Sequence, residues 1–196
     1  MKRKTAVMAF AVLAVLAGTA SAGSNKIGVT GGLGIPTGTY GDAAANGWHI
    51  GATGTHMVND QWGFGGDLAY HSWNASDDVN TGAEVLFGPG SEFKWSAIQA
   101  TAHAIMTIPT QNNVKPYAKV GAGLYNVGLK LNSPSGDASD SKSKLGFNVG
   151  AGFNYAANSN VTLGLSGTYH MVQAKNDLGS DVNFFQVGVD VLWGSR

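Results

Sequence analysis

The sequence contains no cysteine. That excludes a disulfide framework and any thiolate metal site, so an exported form must be stabilised by packing or by its solvent. Charge is also scarce. Charged residues make up 12% of the chain, twelve basic against twelve acidic. No basic surface of the kind that binds nucleic acid is available, so nucleic acid is not an expected partner. Proline is rare, five residues in all, and Pro36, Pro109 and Pro116 fall at the ends of periodic segments. Those are the positions where a strand tolerates it. No apolar run approaches the roughly 18 residues of a transmembrane helix. Glycine, by contrast, is abundant at 29 residues, with no G-X-Y period.

The N-terminus has the grammar of an export signal. Met1-Lys2-Arg3-Lys4 is positively charged, Ala6 to Leu16 is a short apolar run, and Ala20-Ser21-Ala22 is a small-residue cleavage site. Residues 1–22 are expected to be a cleavable signal peptide and residues 23–196 a single domain. Removing the signal takes three of the twelve basic residues, leaving nine against twelve acidic and a net charge of −3.

The domain alternates. In KLGFNVGAGFNYA, Lys144 to Ala156, one set is Leu145, Phe147, Val149, Ala151, Phe153 and Tyr155. The interleaved set is Lys144, Gly146, Asn148, Gly150, Gly152 and Asn154. A period of two marks a strand with two unlike faces. Eight such segments are present: Lys26–Ile35, Gly47–Val58, Trp62–Trp73, Lys94–Ile108, Lys115–Leu131, Lys144–Ala156, Val161–Val172 and Asn183–Trp193. Most match the roughly 9–11 tilted residues of a transmembrane strand. The connections alternate between short ones (59–61, 109–114, 157–160) and long ones (36–46, 74–93, 132–143, 173–182). That asymmetry separates the two ends of a membrane barrel. The tract NSPSGDASDSKS, Asn132 to Ser143, reads as a polar, mobile loop.

Height along the strands decides which face meets lipid. At the long-loop end the apolar face carries Trp48, Tyr70, Phe147, Tyr169 and Phe185. At the short-turn end it carries Trp62, Phe64, Phe153, Tyr155 and Trp193. Leu68, Val149, Leu163, Leu165, Val187 and Val189 lie between. Two aromatic girdles around an aliphatic band are what the two membrane interfaces select. A soluble lipocalin-like barrel with its apolar face inward also has eight strands and a signal peptide. It leaves the girdles and the loop asymmetry unexplained. The expectation is an all-β, eight-stranded antiparallel up-and-down transmembrane β-barrel, closed so that no edge meets lipid.

Three stretches carry a family resemblance: GVTGGLGIPTGTYGD, VKPYAKVGAGLY and the terminal QVGVDVLW. They resemble the small outer-membrane β-barrel family, with its OmpA-transmembrane-domain-like, OmpX-like and opacity-protein-like members. The resemblance implies an outer-membrane location in a Gram-negative bacterium, with lipid and lipopolysaccharide as surroundings. It also implies delivery by the barrel-assembly machinery through a C-terminal signal, here Gln186, Gly188, Val191 and Trp193. The family often ends on the aromatic, whereas Gly194-Ser195-Arg196 follows in this chain.

The inward face is polar. Asp67, His103 and Lys119 fall on neighbouring strands and are expected to form an ionic cluster, extended by Asp190. Such a cluster plugs a lumen that eight strands leave nearly filled; the alternative is a narrow charged pore. His49, His71 and His170 are placed near the outer mouth. They lack the close spacing of a metal site, and no metal or cofactor is expected. His56 and Ser72 face outward at opposite strand ends, no nucleophile, base and acid converge, and an enzyme is not expected. The long loops hold Asp42, Asp77, Asp78, Glu84, Glu92, Asp137, Asp140, Asp177 and Asp181, and one carries Val85-Leu86-Phe87. An apolar patch on an outer loop makes a surface adhesin or receptor the second functional class, ahead of a lipid-modifying enzyme.

Overall fold

The computed structural model describes residues 24–174 and 181–194. The expected signal peptide, Asp177 and the last two residues of the tail lie outside them. Eight strands follow one another: β1 Ser24–Thr37, β2 Gly47–Met57, β3 Trp62–Asn74, β4 Glu92–Thr107, β5 Val114–Asn132, β6 Ala138–Ala156, β7 Val161–Val172 and β8 Val182–Trp193. Each pairs antiparallel with the next, and β8 returns to pair with β1, which closes the barrel.

Two of the short turns use the same local device. Asn59 Oδ1 accepts from the backbone N–H of Gln61 and Trp62, at 2.9 and 2.8 Å. Asn158 Oδ1 does so for Asn160 and Val161, again at 2.9 and 2.8 Å. An asparagine at the first turn position supplies the acceptor that reverses the chain.

The long-loop end departs from the sequence reading in two places. The tract from Asn132 to Ser143 is not a free loop. β6 begins at Ala138, and its pairing with β5 runs to Leu131 opposite Ala138. Ser133 Oγ donates to the Gly136 carbonyl at 2.7 Å, and Gly136 takes a φ of 129° to close the turn. Two helices also appear: α1 over Thr39–Ala43 and α2 over Asp77–Phe87. They are tied together. Ser76 Oγ donates to the Asp42 carbonyl at 3.0 Å, and Ala44 bridges Ala75.

The hydrophobic core lies inside the barrel at that same end. It comprises Tyr40 from α1 together with Trp73, Tyr125, Phe184, Val127, Val172 and Val182 from the inward face, with smaller alanines. Glycine makes room for it at one point. A Cβ on Gly34 would stand 2.8 Å from Trp73 Nε1, the group that donates to the Gly34 carbonyl at 3.2 Å.

Glycine also fixes the lower lumen. The register sets Thr55, Gly65 and His103 side by side on β2, β3 and β4. A Cβ on Gly65 would collide with the Gly54 carbonyl and stand 2.9 Å from His103 Nε2. Gly65→Ala is therefore expected to destabilise the barrel by about 1–3 kcal/mol. Urea unfolding of the refolded protein checks this, and an unchanged midpoint would mean that the strands do not approach so closely.

Candidate functional site

Asp67 is the hub of the lower lumen. Thr53, Asp67 and Thr101 are cross-strand partners on β2, β3 and β4, so their inward side chains share one level. Thr53 Oγ1 donates to Asp67 Oδ1 at 2.7 Å. His103 Nδ1 and Lys119 Nζ both reach Asp67 Oδ2, at 3.0 and 3.1 Å. A carboxylate has lone pairs enough for all three donors and only accepts. His103 therefore carries a proton on Nδ1, and in the neutral imidazole Nε2 is an acceptor. Thr55 Oγ1 lies 3.1 Å from Nε2 across Gly65, and donates to it when the imidazole is neutral. Asp190 lines the same space, but among the described residues it forms no ion pair. The space is a cavity of about 60 Å³ bordered by Thr55, Asp67, His103, Tyr117, Lys119 and Asp190. That volume has room for a few waters.

The middle of the lumen is a layer of histidines and amides. His71 Nε2 donates to Gln99 Oε1 at 3.0 Å, and Gln99 Nε2 donates to Thr101 Oγ1 at 2.9 Å. His170 Nε2 donates to Gln186 Oε1 at 3.1 Å, which frees its Nδ1 to accept from the Tyr125 hydroxyl at 2.9 Å. His49 stacks on His71 with centroids 5.7 Å apart. Among the described residues no three acids or imidazoles are grouped to hold a metal ion.

Above the histidines the lumen turns aromatic. The His71 ring lies parallel to Trp73 at 5.5 Å, and His170 lies parallel to Phe184 at 4.4 Å. Trp73 meets Phe184 edge-on at 4.9 Å. Tyr40 comes down from α1 and sets its edge against Trp73 and Trp95, at 5.7 and 5.4 Å. Burial pushes the Tyr40 phenol well above its ordinary pKa, so it stays neutral in the cap. The three histidines thus do not border an open mouth, as the sequence reading placed them; an aromatic layer covers them and all three are buried.

The outward face is apolar. Trp48, Tyr70, Phe147 and Phe185 are exposed toward the loop end, with Tyr169 half-buried among them. Trp62, Phe64, Phe153, Tyr155 and Trp193 are exposed toward the terminus end. Val149, Leu163, Leu165, Val187 and Val189 are exposed between them. All ten aromatics come from β2, β3, β6, β7 and β8; the outward face of β4 and β5 carries Ala102, Ala104, Ala118 and Ala122 instead. On β8, Gln186 and Gly188 face inward, Trp193 is exposed and Val191 is half-buried.

A closed eight-stranded barrel with an apolar exterior and the match of residues 8–191 to the outer membrane protein beta-barrel domain decide the family. The chain belongs to it. Its eight strands are transmembrane strands, and the apolar exterior is the lipid face. No curated protein matches the sequence. Similar solved structures include Neisserial surface protein A, at 21% identity and a TM-score of 0.60, covering 87% of this chain and 98% of that one. OprG of Pseudomonas aeruginosa follows at 15% identity and 0.52, covering 87% and 96%. The attachment invasion locus protein Ail of Yersinia pestis, in complex with the heparin analogue sucrose octasulfate, gives 20% and 0.50, covering 87% and 98%. At such identities the likeness is one of fold.

Sequence reasoning did not find Trp73, Tyr125 and Phe184 in the lumen, nor the bond from Thr55 to His103. Inward parity with Asp67, Gly123 and Gln186 was the available signal for the first three. Two stability tests follow. Leu165→Lys, on the lipid face, should cost about 2–4 kcal/mol, because a charge at mid-membrane loses its water. Asp67→Ala should cost about 3 kcal/mol by leaving a lysine and a histidine without their shared acceptor. Asp190→Asn should cost a fraction of that. Equal losses for Asp67→Ala and Asp190→Asn in denaturant titrations would refute the hub.

Proposed function

We propose that this is a structural outer-membrane barrel, closed to solutes at its extracellular end, that meets its surroundings through its loops. The observation that carries this reading is the aromatic layer of Tyr40, Trp73, Trp95, Tyr125 and Phe184 across the lumen, with α1 fastened above it. A dry, packed layer has no space for a hydrated ion. The long-loop end faces outward, and the start of β1 and the end of β8 face the periplasm, the usual disposition of such barrels. Export through the signal peptide, insertion by the barrel-assembly machinery through the β8 residues, and contact with lipopolysaccharide belong to the same reading. The role needs neither cofactor nor catalysis.

A second reading, a surface adhesin or receptor, has one observation in its favour. Val85 and Leu86, at the end of α2, are 81% and 76% exposed on the loop side. Two adjacent apolar side chains held in water away from the lipid face are suited to contact. Leu86→Ser with Val85→Ser should lower retention of expressing cells on a host surface if this reading holds, with barrel stability unchanged.

Planar-bilayer recording tests the first reading. The wild-type barrel should be silent, and the Tyr40→Ala, Trp73→Ala, Phe184→Ala triple variant should give discrete current steps. Reproducible wild-type steps would overturn a sealed lumen.

A further inference from the structure

From the sequence, no convergent nucleophile, base and acid is expected in this chain. The inward face holds such a set. Thr55 Oγ1 lies 3.1 Å from His103 Nε2, to which it donates when the imidazole is neutral, and His103 Nδ1 donates to Asp67 Oδ2 at 3.0 Å. The three come from β2, β4 and β3. This is the order of contacts, hydroxyl to imidazole to carboxylate, that activates an alcohol for acyl transfer on unrelated folds. We propose that Thr55, His103 and Asp67 form an acyl-transfer site in the lower lumen, acting on small esters or thioesters that enter from the periplasmic end.

Several features bear on this beyond the two distances. Asp67 is held from its other side by Thr53, at 2.7 Å on Oδ1, so the carboxylate cannot swing away from the imidazole. Thr55, His103 and Asp67 all border the 60 Å³ cavity, which gives a reacting carbonyl a place beside these residues. That volume limits the acyl group to a few heavy atoms, of which acetyl is the simplest. Lys119 borders the same cavity, and its ammonium gives one of three N–H groups to Asp67. Its positive charge favours negative charge that develops in that cavity. Its side chain is 18% exposed, so water reaches this end of the lumen while the aromatic layer closes the other.

The chemistry balances with water as the only co-reactant. Thr55 Oγ1 attacks the ester carbonyl as its proton passes to His103 Nε2. The tetrahedral intermediate collapses, the alkoxide or thiolate leaves with that proton, and an acyl-threonine remains. Water then attacks the acyl carbon, giving its proton to His103. Thr55 departs with that proton, and a carboxylic acid is released. Asp67 fixes the imidazole orientation throughout and exchanges no proton.

The probe is p-nitrophenyl acetate with the barrel refolded in detergent, read by peptide mass spectrometry and by p-nitrophenolate release. The expected result is one acetyl group on Thr55, with labelling at least 100-fold slower in His103→Gln of unchanged heat-modified gel mobility. Should His103→Gln fail to refold, Thr55→Val, which keeps the side-chain shape, must abolish the nitrophenolate burst. Acetylation of Thr55 no faster than that of Thr53, equal labelling in His103→Gln, or a burst that survives Thr55→Val would each overturn the proposal.

Discussion

Hydrocarbon offers no partner to a peptide group, so every backbone N–H and C=O that enters the membrane must be paired within the sheet. The seam between β1 and β8, from Ile27 opposite Trp193 to Thr37 opposite Asn183, meets that demand and removes the last edge. The rest of the molecule depends on it. Closure at eight strands makes the interior only as wide as its own side chains. Whatever the inward face carries is then forced into contact, and the lumen becomes a core.

That core has two solvents. Toward the loops it is packed with aromatic and branched side chains like the interior of a soluble protein. Toward the termini it is a hydrogen-bonded network around Asp67 with space for water. The histidine layer joins the two. His71 and His170 present a ring face to Trp73 and Phe184 and a nitrogen to Gln99 and Gln186. Imidazole suits this position because it is flat, polarisable and able to donate at one nitrogen. In the reading proposed above, the same split separates roles: the upper half closes the barrel, and the lower half holds the chemistry.

Much of this was legible in the sequence because the membrane enforces a period of two. β7 begins and ends where the alternation of Val161–Val172 does. The inward parity of Asp67, His103 and Lys119 sufficed to place them on neighbouring strands, where they meet. Legibility failed where that period carries no contrast or an inverted one. From Ala138 to Ser143 both faces of β6 are polar, so the extension looked like a loop. Around Trp73 and Trp95 the contrast inverts, with Ser72, Asn74, Lys94 and Ser96 on the outward face, and the inward aromatics passed unnoticed. The contact of Thr55 with His103 depends on register across three strands and on the missing side chain of Gly65, neither of which periodicity reports.

The central claim is that the lumen is sealed from the loop end and wet from the terminus end. The absence of native cysteine makes one experiment clean. Ser166→Cys places a single thiol on the wall of the lower cavity. In proteoliposomes with the loops facing out, a membrane-impermeant thiol reagent added outside should leave it unmodified until the vesicles are permeabilised. Rapid modification from the loop side in sealed vesicles would contradict the account.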